Sequence, residues 1–152
     1  MEVNESKLIE RELTLRNMML TKEVTETRRS LVRWLALALG VISPGESRLS
    51  AVSVLDAMLY FQFTEKKDPT VDELALHING SWGEINEKTL RYHLLQLKKA
   101  SIVGNAKGRY FFLKPDVGDR FDAGTWAANY LDSQVNPIKE KVISALKELK
   151  GR

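Results

Sequence analysis

Residues 85–113 read INEKTLRYHLLQLKKASIVGNAKGRYFFL. The first half of this stretch has helical spacing. Leu90, Leu94 and Leu97 recur at i, i+4 and i+7, so they form one stripe that can be buried. Asn86 stands where an N-cap belongs, its side-chain oxygen able to accept a backbone amide of the first turn. Lys88, Thr89, Arg91 and Tyr92 fall off the leucine stripe near the helix start, and a helix that served only a core would not need them. The second half changes period. Ile102-Val103 and Tyr110-Phe111-Phe112-Leu113 are β-prone runs separated by Asn105-Ala106-Lys107-Gly108, and Gly108 supplies the backbone freedom of a hairpin turn. A helix over 86–100 running into a hairpin over 102–113 is therefore expected.

The residues before this stretch add two more helices. Val52, Leu55, Leu59 and Phe63 lie on one face of a helix expected over 49–65. Lys66 to Pro69 form a turn, and Thr70 with Glu73 spells a capping box, in which hydroxyl and carboxylate satisfy each other's backbone donors. A short helix over 71–78 follows, burying Leu74, Ala75 and Ile78. Residues 79–85 read as a loop, in which Trp82 either plugs onto the core, the favoured reading because an exposed indole forfeits burial, or stands out as a partner contact.

The flanks read as helical. Over 5–39 the chain has neither proline nor internal glycine. Leu13, Asn17, Leu20, Val24, Thr27, Leu31, Trp34 and Ala38 follow alternating four- and three-residue steps. Two arrangements satisfy that pattern: a heptad seam between two copies, or one long amphipathic helix lying on its own domain. Gly40 and the run Ser43 to Ser47 end it. After Lys114 to Asp119, a helix is expected over 122–133, with Asp119 and Asp122 reading as its cap and not as an acid–base pair. Asn136 and Pro137 are expected to cap and start a last helix, with Ile138, Val142, Ala145 and Leu149 on one face.

Helix, short helix, turn, helix and hairpin, in that order, resemble the winged helix-turn-helix family. TVDELALHI (from Thr70) resembles its second helix, NEKTLRYHLLQLKKASIV (from Asn86) its recognition helix, and GNAKGRYFFL (from Gly104) its wing. The likeness is to archaeal and bacterial winged-helix regulators whose third helix reads T-hydrophobic-R-Y-H-L-x-x-L, and it spans residues 49–114. It implies a mainly α fold with a small hairpin wing, flanked by a long N-terminal helix (within 1–48) and C-terminal helices (within 115–152). It also implies a transcriptional regulator that binds double-stranded DNA, with Lys88, Thr89, Arg91 and Tyr92 on the reading helix and Lys107 and Arg109 on the wing. A homodimer is expected, since two copies would reach major grooves about 34 Å apart. Glu84 and Glu87, beside that helix, favour a different use of the same fold, as a protein–protein module in a transcription or replication assembly. Leu95 stands at a position that is commonly polar in the family, and is expected to be covered by a terminal helix.

Composition narrows the remaining possibilities. Of 152 residues, 43% are hydrophobic and 28% charged, a globular balance. The formal net charge is +3, from 23 Lys+Arg against 20 Asp+Glu, so any basic footprint has to be local. There is no cysteine, which excludes disulfides and thiolate sites, and two histidines are too few for most histidine-built metal sites. No phosphate loop, nucleotide fingerprint or nucleophile elbow occurs, so neither an enzyme nor a cofactor is expected. The longest apolar run is well short of the roughly 20 residues of a membrane span, and no secretory signal is present, so a cytoplasmic location is expected.

Overall fold

The computed structural model describes residues 3–152. Among these residues the chain is mainly α-helical, with a two-strand antiparallel hairpin after the fifth α-helix and one long helix near the C-terminus. No helix among them is long and apolar enough to cross a membrane. The chain divides into two compact units, Met1–Ser47 and Arg48–Arg152.

In the first unit the long helix expected over 5–39 does not form. A 3-10 turn (Glu5–Leu8) is followed by non-helical chain over 9–21, then by the short α1 (Lys22–Thr25) and by α2 (Arg28–Ala38). The reason lies in caps that the heptad reading passed over. Thr21 accepts a hydrogen bond from the Val24 amide at 3.4 Å, and Thr27, in extended backbone, accepts from Ser30 N at 3.1 Å. Both threonines therefore start helices and do not continue one. The segment before them runs back to the end of α2. The Arg16 amide donates to the Ala38 carbonyl at 3.0 Å, while its guanidinium donates to the Leu37 and Ile42 carbonyls at 2.6 and 2.9 Å. That cation answers the carbonyl groups left over at a helix C-terminus. Trp34 Nε1 donates to the Met19 carbonyl at 2.8 Å. Gly40, at φ 74°, is required here, because a Cβ would stand 2.2 Å from the Thr14 carbonyl oxygen. Val32, Ala36 and Ile42 are the buried apolar residues of this unit, and Asn17, Leu20 and Thr27 of the supposed seam are exposed.

The second unit opens with α3 (Ser50–Leu59), whose last turn widens into a π-helical turn, Tyr60–Thr64. It continues with α4 (Val71–Ser81), α5 (Glu87–Lys99), the strands β1 (Val103–Ala106) and β2 (Arg109–Phe112), and α6 (Ala123–Lys150). α3 is the central element, packing against α4, α5 and β2. Val52, Val54, Leu55 and Met58 of α3 meet Leu74 and Ile78 of α4 and the Leu90/Leu94/Leu97 stripe of α5 in one core, closed by Ile102, Val103 and Phe112. Truncating a fully buried leucine of this kind costs about 2–5 kcal/mol. Gln62 supplies the polar joint. Its Nε2 donates to Lys67 O and Asp68 Oδ1, and its Oε1 accepts the Phe112 amide at 2.7 Å, so a buried amide ties the end of α3 to β2.

At the C-terminal end, two expected helices are one. Asp122 caps α6, accepting from the Thr125 amide and hydroxyl, as its spacing predicts. The helix then passes through Asn136 and Pro137 to Lys150. Pro137 has no amide to give the carbonyl four residues back and its ring crowds that carbonyl, yet α6 is continuous across it. The first part of α6 belongs to the core: Trp126 packs on Phe112 with ring centroids 4.7 Å apart, and the Tyr130 hydroxyl donates to Ala100 O.

Candidate nucleic-acid interface

Two caps and one indole set the α4–α5 corner. Thr70 and Glu73 form the capping box that the sequence spells, starting α4 at Val71. Asn86 caps α5, accepting the Thr89 amide at 2.8 Å. α4 runs on through Asn79 and Gly80 to Ser81, so the corner is tighter than the loop expected over 79–85. The Asn79 side chain spans it, accepting the Ile85 amide at 3.0 Å, and Gly83 takes φ 115°. Trp82 is half-buried, and its Nε1 donates at 2.7 Å to Asp56, a buried carboxylate on α3. The indole does pack inward, but a hydrogen bond directs it as much as burial. Asp56 had no sequence signal of its own. Only its place on the inward face of α3, where a carboxylate must find a donor, could have flagged it.

With the leucine stripe buried, the opposite face of α5 carries Lys88, Tyr92, Leu95 and Lys99 at i, i+4, i+7 and i+11, all exposed. Leu95 is therefore not covered as expected. Arg91 and Thr89 lie on opposite flanks of that face. Thr89 is half-buried. Arg91 is exposed and held along the helix by Glu87, whose Oε1 accepts from Nε at 3.2 Å and Nη2 at 3.0 Å. His93, also half-buried, shares a hydrogen bond with Ser50 of α3 at 2.9 Å.

The hairpin pairs Val103 with Phe112 and Ala106 with Arg109, leaving Lys107 and Gly108 as a two-residue turn. Both have positive φ, 53° and 76°, which is the hairpin turn whose twist matches its strands. Lys107 is thrust into solvent at the tip. Arg109 behaves differently. Its Nη1 donates to the Asp68 carbonyl at 2.8 Å and lies 3.5 Å from Glu73 Oε1, while its backbone bridges to Thr70. It fastens the hairpin to the start of α4 and does not stand out at the tip.

These elements enclose one shallow cleft of about 230 Å³, lined by Thr70, Val71 and Asp72 at the start of α4, Arg91 of α5, and Asn105, Gly108 and Tyr110 of the hairpin. Of the six residues singled out in the sequence, Arg91 alone is among those lining this cleft, and Lys107 and Arg109 are the chain neighbours of its Gly108. Lys88 and Tyr92 project from the outer face of α5, and Thr89 sits on its far flank. The charge is mixed. Among the described residues Lys88 and Lys107 have no ion-pair partner, whereas Arg91 and Arg109 each face a carboxylate. The Glu73 carboxyl is held below the ordinary glutamate range, first by its hydrogen bond from Lys67 and then by the Thr70 amide. No group of three or more His, Cys, Asp or Glu side chains among the described residues is placed to hold a metal ion. Comparisons with protein-family models, curated proteins and solved structures give no match to this chain.

Proposed function

We propose that the chain binds double-stranded DNA in the manner of a winged helix-turn-helix protein and regulates transcription. The observation that carries this reading is the shared cleft: α5, the hairpin turn and the start of α4 converge on it, with Arg91 and Asp72 in its lining and Lys107 next in the chain to its Gly108. In this reading α5 enters the major groove, where Arg91 is long enough to bond guanine O6 and N7 together and Tyr92 and Thr89 border the same groove. Lys88 and Lys107, both unpaired, meet phosphates, which position the protein without reading sequence. Arg109 holds the hairpin at the angle that brings Lys107 to the backbone. Duplex binding measured at about 50 and 200 mM salt tests the proposal, because log K should fall linearly with log salt by roughly 0.9 per phosphate neutralised. Absence of binding at the lower salt would overturn it.

A protein-interaction role has its own support. Leu76, Tyr92 and Leu95 are exposed on the outer faces of α4 and α5, and Glu87 and Glu73 already occupy two of the arginines. A well-folded protein that ignores duplex DNA would transfer these surfaces to that reading.

A further inference from the structure

Beyond Gln134 the long helix leaves the core. Gln134 is the last buried residue of α6, and residues 135–150, more than half of the helix, are exposed at every position. An isolated helix of about 16 residues is marginal in water even with favourable composition. This one carries β-branched Val135, Ile138, Val142 and Ile143 and an internal proline, all of which lower helix propensity. Something outside the described packing must therefore hold it.

The exposed residues are not scattered. Leu131, Val135, Ile138, Val142, Ala145 and Leu149 advance by four, three, four, three and four residues, a heptad seam, and Leu146 borders it. Exposure along the seam rises from 43% at Val135 to 68% at Leu149, so the stripe is least covered towards the tip of the helix. Such a pattern fits another helix of the same spacing, and the flanking charges indicate which helix and in what direction. On one side of the seam stand Lys141 and Glu148, the latter 3.5 Å from Arg152 of its own chain in an exposed pair weak enough to be exchanged. If a second copy lay parallel, Lys141 would face its Leu146, and no opposite charges would meet. If the second copy runs antiparallel, about a two-fold axis near residues 143 and 144, Lys141 of each copy faces Glu148 of the other, twice by symmetry. The seam then pairs Val142 with Ala145 and Ile138 with Leu149, large against small at the centre.

We infer that the exposed half of α6 is a self-association site, in which two copies of this chain pair through an antiparallel coiled coil over residues 135–150. The contact is isologous and self-closing, so it stops at two copies. It does not depend on the DNA reading, and its test uses no DNA.

The full chain is examined by sedimentation equilibrium at about 100 µM, a concentration that still populates a weak dimer. The expected mass is close to twice the 17.3 kDa of the chain. Val142→Asp should return it to one chain, with helical circular dichroism reduced by no more than the exposed half of α6 contributes, since no core residue is touched. A monomer for the unaltered protein, or a dimer that survives Val142→Asp, overturns the inference. Direction is read separately, and the absence of native cysteine makes that readout clean. In the antiparallel pair, chains bearing Ile138→Cys should oxidise to a disulfide with chains bearing Leu149→Cys, while each variant alone should not. Self-linking of Ile138→Cys alone would mean a parallel pair, and no linking in the mixture would place the contact elsewhere. Either result defeats the antiparallel assignment.

Discussion

Arg91 has two claims on it. Within the chain it lies along α5 on Glu87, an exposed i, i+4 pair of the kind worth only a few tenths of a kcal/mol. Such a pair yields readily to a guanine. If α5 reads DNA, Arg91→Ala should weaken binding to the preferred sequence by about 1–3 kcal/mol and to random duplex by much less. Glu87→Gln should act in the opposite sense, removing both the competitor for Arg91 and a negative charge near phosphate. Fluorescence anisotropy with both duplexes separates these effects, and equal losses on the two duplexes for Arg91→Ala would remove it from base reading. Trp82 makes the contrasting case of a residue held for stability. Trp82→Phe keeps an aromatic ring but deletes the N–H that serves Asp56, and a hydrogen bond to a carboxylate contributes about 1.5–3 kcal/mol. Urea denaturation should register that loss with DNA affinity of the folded fraction unchanged. A variant as stable as the parent would mean that aromatic packing alone matters and the bond to Asp56 does not.

The capping box and the hairpin turn are local devices with separable readouts. Glu73 binds fewer protons in the folded chain than in the unfolded chain, because Lys67 and Thr70 hold its carboxyl down. Its contribution is therefore complete above the ordinary glutamate value, near 4.3, and is lost as pH falls through the lower folded-state value. Glu73→Gln should flatten the decline of stability with acid in that window, followed by urea midpoints from pH 5 downward. An unchanged pH profile would mean that the cap carries no proton linkage. At the hairpin, Lys107 sits at φ 53°, where a side chain is strained and glycine is not. Lys107→Gly should leave stability equal or raised by up to about 1 kcal/mol, while reducing the salt slope of DNA binding by roughly one unit. That combination distinguishes a phosphate contact from a folding defect, since a damaged hairpin would lower both. The same elements were largely legible in the residue order. Thr70 with Glu73, Asn86 before the leucine stripe, and Lys107-Gly108 between β-prone runs each act within a few residues of themselves, so their meaning survives without knowledge of the fold.

For the chain as a unit, the weak formal charge of +3 means that under the proposed DNA reading affinity has to come from a few placed cations, not from a general field. A salt slope reflecting only two or three phosphates per copy is the expectation, and a much steeper one would require cations well away from α5 and the hairpin. The least legible parts of the sequence were the two flanks, for one shared reason. Spacing at four and three residues reports that a helix would be amphipathic; it does not report that a helix forms. In residues 9–21 the same letters run non-helical because Arg16 finds the carbonyls at the end of α2, and Thr21 and Thr27 find amides ahead of them. In α6 the chain stays helical through Pro137, although Asn136-Pro137 spells a new start, because a proline that can begin a helix does not by itself break one that already runs into it. The caps at Thr70, Asn86 and Asp122, the inward leucines and the hairpin turn were determined by the sequence on its own, since each depends on neighbours in the chain. The use of Arg16 as a cap for a distant helix, the bond from Trp82 to Asp56 and the inward turn of Arg109 towards Glu73 came only with tertiary structure, because each depends on which carbonyl or carboxylate arrives from far along the chain.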